Sequence, residues 1–200
     1  MTSLREKNRI RTMRETQRSA LEMFIDRGFT NVTVEQVAEA VGLSPSTVYR
    51  HFGTKEHLVL WDEHAADIDS ALGKRLGVQP PLDAIRDALV ESLAGRSGDE
   101  GRLLFQRVSY IYATVELHAA AVEADFRSRD ELTAALELVL PVERRRAAPV
   151  LAGAAMVALD VALDRWRTSE GSQPLEDLLV EAFGTIIELG TIGVWRSPAR

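Results

Sequence analysis

Cysteine is absent from the 200-residue chain. Its absence excludes a disulfide framework, a thiolate metal site and a cysteine nucleophile, and it suits a reducing cytosol. Long apolar runs are absent too. The longest stretch without a charge, Ala147 to Leu159, falls short of the roughly 18 residues that a membrane span needs. The N-terminal "MTSLREKNRIR" is basic but has no apolar run behind it, so it does not read as a signal peptide. The expectation is a cytoplasmic protein with no membrane partner, in which the sequon Asn31-Val32-Thr33 is a chance match. Signatures of catalysis are missing as well. "GLSPS" fails at the last position of G-x-S-x-G, there is no H-E-x-x-H, and "AGRSGDEG" spaces its glycines at three with no strand before it. His57 and His64 lie about 10 Å apart along a helix, too far to share a metal at bond lengths of about 2 Å. No enzymatic activity, cofactor or metal is expected.

Alternation of the kind that marks strands is absent, as are internal repeats and low-complexity tracts. What remains is helical periodicity and an uneven charge. The net charge is −6, yet residues 1–60 hold nine basic and seven acidic side chains, and the first 18 residues hold six basic and two acidic. A basic head on an acidic body suits a head that meets a polyanion, although a solvated helix face has the same composition.

Apolar residues recur at spacings of three and four through Ile10, Met13, Ala20, Leu21, Phe24 and Ile25, which predicts a first helix ending near Gly28. Val34, Val37, Ala38 and Val41 form a second stripe, and Thr33 with Gln36 makes a capping box at its start. Gly42 permits a tight turn. Ser44 caps a third helix with Pro45 at its first position, and Gly53 ends it. A fourth helix is expected over 55–76, followed by helices near 81–94, 100–116, 118–139, 143–168 and 174–195, with a start or kink at Pro149. The third helix is too short to hold itself in water. Val48 and Phe52 face the same way as Leu43 and can anchor it on the first two helices, which leaves Ser46, Thr47 and Arg50 outward and Tyr49 and His51 on the flanks. Two helices joined by a glycine turn, the second with a bare polar face, make a helix-turn-helix whose second helix fits the major groove.

The stretch "ALEMFIDRGFTNVTVEQVAEAVGLSPSTVYRHFGTKEHLV" resembles the DNA-binding domain of the TetR (tetracycline-repressor) family of bacterial transcription regulators, over roughly residues 10–60. The resemblance implies an all-α protein of about nine helices. A three-helix headpiece, residues 1–54, would bind DNA. A larger helical domain, residues 55–200, would sense a ligand and dimerise. It implies a homodimeric repressor released from a palindromic operator by a small molecule; an all-helical adaptor without DNA-binding activity is the alternative. By the same resemblance Thr33, Ser44, Pro45, Ser46, Thr47, Tyr49, Arg50, His51 and Lys55 contact DNA. Thr33 and Lys55 would sit at phosphates favoured by helix N-termini, Pro45 at a thymine methyl, and Tyr49 and His51 at the backbone. Arg50 can grip either a guanine or a phosphate. Arg5, Lys7, Arg9 and Arg11 either reach backbone or minor groove or form a solvated tail.

Two later stripes suit pairing into a four-helix bundle or, equally, an internal core. One is Leu151, Ala154, Ala155, Ala158, Leu159 and Ala162. The other is Leu175, Leu178, Leu179, Ala182, Phe183, Ile186 and Ile187. Between headpiece and stripes lie Trp61, His64, Phe105, Tyr110, Tyr112, His118, Phe126 and Trp166. Of these Trp61, Phe105, Tyr110, Tyr112, His118 and Trp166 are the candidates to line an effector pocket, though most aromatics at helical spacing are core.

Overall fold

The computed structural model describes residues 4–93 and 98–191. The chain is all-helical over them, as expected, with no strand among the described residues. Ten α-helices follow in order: α1 (Leu4–Arg27), α2 (Val34–Ala40), α3 (Pro45–Phe52), α4 (His57–Leu60), α5 (Ala65–Arg75), α6 (Pro81–Leu93), α7 (Asp99–Ala113), α8 (Val115–Val139), α9 (Ala148–Thr168) and α10 (Leu175–Thr191). Two 3-10 turns, Phe29–Asn31 and Val142–Ala147, precede α2 and α9. The expected last helix ran to 195, and its final residues lie outside the described ones. So does part of the expected break "GRSGDEG".

The chain forms two compact units. The first joins residues up to Glu63 with Arg102–Glu123; the second joins His64–Gly101 with residues from Ala124 onward.

In the first unit, α1 presents Met13, Thr16, Ala20, Leu21 and Phe24 along one buried stripe. Thr16 is the polar member, and its hydroxyl is satisfied by donating to the Thr12 carbonyl at 2.8 Å. Phe24 meets Phe29 edge-on with ring centroids 5.0 Å apart. Val34, Val37 and Ala38 of α2, Val48 and Phe52 of α3, and Leu58 and Val59 of α4 complete the same core. Each large member contributes about 1.5–3 kcal/mol through burial. The core also takes Leu117 of α8, and Tyr110 and Ile111 of α7 pack against it. The headpiece is therefore completed by residues far along the chain.

The expected fourth helix over 55–76 is corrected to two, α4 and α5. Trp61 leaves the helical region at ψ 127° after its N–H closes the last turn on His57. Its carbonyl then accepts from Gln17 Nε2 at 2.8 Å and Arg107 Nη1 at 2.6 Å. Side chains from two other helices thus take over a carbonyl that a continuous helix would have bonded internally. Pro149 behaves as anticipated. The 3-10 turn ends at Ala147, and Pro149 falls in the first turn of α9, where no amide is needed.

In the second unit, α9 packs against α10, α6 against both, and α5 against α6. Ion pairs join Arg75 to Glu91 across α5 and α6, and Arg165 to Glu181 at 2.7 Å across α9 and α10. The two stripes considered for pairing are largely internal. Ala155, Ala158 and Ala162 of α9 are buried in the chain's own core, as are Leu175, Leu178, Leu179, Ala182 and Phe183 of α10. The row of alanines lets helices approach closely. The segment Val142–Thr168 is long and apolar enough to cross a membrane by length and composition alone, with 28% of its most apolar window buried.

Candidate nucleic-acid interface

Thr33 opens α2 through the complete capping box read from sequence. Its Oγ1 accepts from the Gln36 amide at 3.3 Å, while Gln36 Oε1 accepts from the Thr33 amide at 2.9 Å. Val41 ends the helix. Gly42, at φ 69°, turns the chain with its N–H on Glu39 and the Leu43 N–H on Ala38. This is the Schellman pattern, which wants a residue free to take positive φ. Two residues later Ser44 caps α3, its Oγ accepting from the Thr47 amide at 3.2 Å.

The eight-residue α3 is held by two side chains. Val48 and Phe52 lie one turn apart and are buried in the headpiece core. The opposite side is bare. Ser44, Pro45, Ser46, Tyr49 and Arg50 are exposed, and Thr47 is partly so. Ser44 Oγ lies 3.0 Å from Ser46 Oγ and 2.9 Å from Thr47 Oγ1, and Arg50 Nη2 donates to Thr47 Oγ1 at 3.4 Å. The result is a connected set of three hydroxyls and a guanidinium at the exposed start of a short helix. Such groups can exchange their weak mutual bonds for base edges and phosphates.

His51 sits at the edge of this face, partly buried, with Nδ1 shielded and unbonded among the described residues. Burial pushes its pKa below the ordinary histidine value, and the positive charges of Arg50 and Arg9 push the same way. Neutral His51 therefore contributes to stability above the unfolded-state value, and that contribution is lost as pH falls through the lowered native one. We expect the urea midpoint of headpiece unfolding to drop between about pH 7 and pH 5, and to drop less in His51→Gln. An identical pH response in the two proteins would contradict this assignment.

Two family descriptions match the chain: "Bacterial regulatory proteins, tetR family" over residues 18–60 and "MftR C-terminal domain" over residues 79–189. The second spans more than half of the chain, and the first covers the helices just described. The chain belongs to the TetR family. It is 40% identical over 100 residues to the HTH-type transcriptional regulator TcmR of Streptomyces glaucescens, covering 48% of this chain and 43% of that protein. It is 31% identical over 106 residues to the putative mycofactocin biosynthesis transcriptional regulator MftR of Mycobacterium tuberculosis, covering 50% and 51%. The chain thus spans about half the length of the curated relatives it matches. Among solved structures, Thermus thermophilus FadR in complex with lauroyl-CoA aligns at TM-score 0.51 and 20% identity, covering 94% of this chain and 98% of that one. NalD of Pseudomonas aeruginosa aligns at 0.52 and 18%, covering 89% and 96%. At that identity these two likenesses speak to fold alone.

Within this TetR headpiece Lys55 departs from the role the resemblance implied. Its ammonium donates to the Phe29 carbonyl and lies 4.2 Å from the Phe29 ring centroid and 5.5 Å from that of Phe24. It is turned inward, tying the 3-10 turn before α2 to the segment after α3, and burial lowers its pKa against the pull of Glu56 and Glu116. Nor does it open a helix, because α4 begins at His57, whose amide is accepted by Thr54 Oγ1 at 3.3 Å. Arg5, Lys7, Arg9 and Arg11 are likewise not a tail. All four lie on α1, where Arg9 pairs with Glu6 at 2.6 Å.

The six pocket candidates are divided. Trp61, Phe105, Tyr110, Tyr112 and His118 fall in the first unit and Trp166 in the second. Two pack against the headpiece core. The Trp61 ring meets Phe52 edge-on at 6.0 Å, and the Tyr110 hydroxyl donates to the Phe24 carbonyl at 2.8 Å. The Tyr112 and His118 rings meet at a 47° tilt with centroids 5.3 Å apart, and His118 is exposed; Phe105 is half-buried and Trp166 buried. Sequence reading missed Arg107, Tyr110 and Leu117 as headpiece supports. No local pattern marks partners 46 or 86 residues apart.

Proposed function

We propose that this TetR-family protein is a cytoplasmic, ligand-responsive transcriptional repressor. Two copies would place their α3 helices in successive major grooves of a two-fold symmetric operator, and a small molecule would release them. The observation that carries the reading is the two-sidedness of α3, with Val48 and Phe52 locked in the core and Ser44, Ser46, Tyr49 and Arg50 bare. The exposed side gathers three hydroxyls and an arginine, groups able to bond base edges and phosphates. Thr33, Ser44, Pro45, Ser46, Thr47, Tyr49, Arg50 and His51 form the proposed contact surface. Tyr49, 45% exposed, would give its hydroxyl to a phosphate. One headpiece binds weakly, and two held at a fixed spacing bind as a bivalent unit.

The helical remainder is the proposed sensor, with Phe105, Tyr112 and His118, all in the first unit, as the remaining candidate lining residues. An apolar effector suits these side chains, and FadR was solved with lauroyl-CoA bound. Release requires a difference in ligand affinity between two states worth about 1–3 kcal/mol.

Affinity for an operator duplex, measured against salt concentration, tests the reading. Six to ten phosphate contacts across a dimer give a log–log slope of roughly −5 to −9. A salt response near zero would favour the adaptor alternative.

A further inference from the structure

The buried stripe of α1 continues past the edge of the headpiece core. Met13, Thr16 and Ala20 are buried on it, and the same spacing of three and four leads outward to Arg9 and Glu6. Arg9 therefore stands on the core-facing side of α1. Its Nη1 donates to the Met13 sulfur at 3.2 Å. Its positive charge bears on His51 in the last turn of α3, together with that of Arg50. The fork of Arg9 is occupied by Glu6. Arg9 Nε donates to Glu6 Oε1 and Oε2 at 3.2 and 3.1 Å, and Nη2 donates to Oε1 at 2.6 Å. Arginine grips a phosphate with the same two-point geometry. The side chains of the pair are 47% and 40% exposed, so the bond is weak and readily exchanged.

His51 is a donor in search of an acceptor. Its Nδ1 is buried and unbonded among the described residues. A proton on Nδ1 would be stranded there, so the neutral ring carries its proton on Nε2. A guanidinium on α1 and an imidazole N–H on α3 thus flank one another, and a carboxylate from the chain itself fills the guanidinium.

We propose that Arg9 and His51 bind one DNA phosphate between them, and that Glu6 holds the arginine fork in the free protein as a built-in competitor for that phosphate. This rests on the DNA-binding reading above. On the duplex, Arg9 exchanges a carboxylate for a phosphate of like geometry, and the displaced Glu6 is left as a negative charge beside the DNA backbone. Glu6 therefore restrains affinity.

Titrations of a duplex selected by the wild type from a randomised pool, at several salt concentrations, test this with E6Q, R9Q and E6Q/R9Q. E6Q should tighten binding by roughly twofold to thirtyfold, because each of two headpieces regains up to about fivefold. A merely structural role predicts the opposite sign, since Glu6 lies in the first turn of α1, where an acid supports the helix. R9Q should weaken binding and shrink the log–log salt slope by about two over two headpieces. The gain from E6Q should vanish in the R9Q background. Circular dichroism checks the fold of each variant. Unchanged or weaker binding by E6Q overturns the proposal. So does an equal gain with and without Arg9, which would be a plain effect of net charge. In the cycle of R9Q with H51Q, losses that multiply independently would place the two side chains on separate phosphates and overturn the shared site. A wild type that enriches no sequence and binds no duplex sinks the DNA-binding reading itself.

Discussion

Arg50→Ala lowers operator affinity about 5- to 150-fold, the equivalent of about 1–3 kcal/mol for one good base contact. The headpiece stays folded, because the Arg50 side chain is exposed and its hydrogen bond to Thr47 is long, at 3.4 Å. Titrations against single-base variants of the operator show which partner was lost. If Arg50 grips a guanine, the wild type discriminates at one position and the variant does not. If it clamps a phosphate, affinity falls evenly over all sequences and the salt slope shrinks by about one. Unchanged affinity everywhere removes Arg50 from the interface.

Val157→Arg has the larger expected effect. Val157 is 58% exposed, so an arginine there meets solvent in the isolated chain and the core is untouched. If the proposed homodimer pairs through α9, it places a charge in an apolar contact on both sides of the two-fold. The dimer separates, and with it the bivalent gain of about 10²–10⁴ in DNA affinity. Light scattering and a binding titration on the same sample check both halves. A variant that remains dimeric and binds normally places the pairing surface elsewhere.

The headpiece was legible in sequence because its determinants are local. Thr33 with Gln36, Gly42, and Ser44 with Pro45 each act within four residues, and the structure shows those caps and that turn. What escaped depends on long-range pairing. The break after Leu60 arises because Gln17 and Arg107 take the Trp61 carbonyl, and Arg107 lies 46 residues away. Lys55 has the motif context of a phosphate ligand, but Phe24 and Phe29 offer its ammonium a carbonyl and two ring faces instead. The α9 stripe was left open between pairing and internal core for a different reason. Periodicity finds apolar positions without telling which side meets the chain's own core. Ala155, Ala158 and Ala162 proved internal, and the valines opposite them went unremarked.

Amide chemical-shift mapping of the nitrogen-15-labelled protein, titrated with a duplex it has selected from a randomised pool, bears most directly on the role of α3. The expected duplex is two-fold symmetric, and the largest shifts fall at Thr33 and from Ser44 to His51. Saturable duplex binding that leaves the α3 amides unmoved, or a pool from which the protein enriches no sequence, contradicts it.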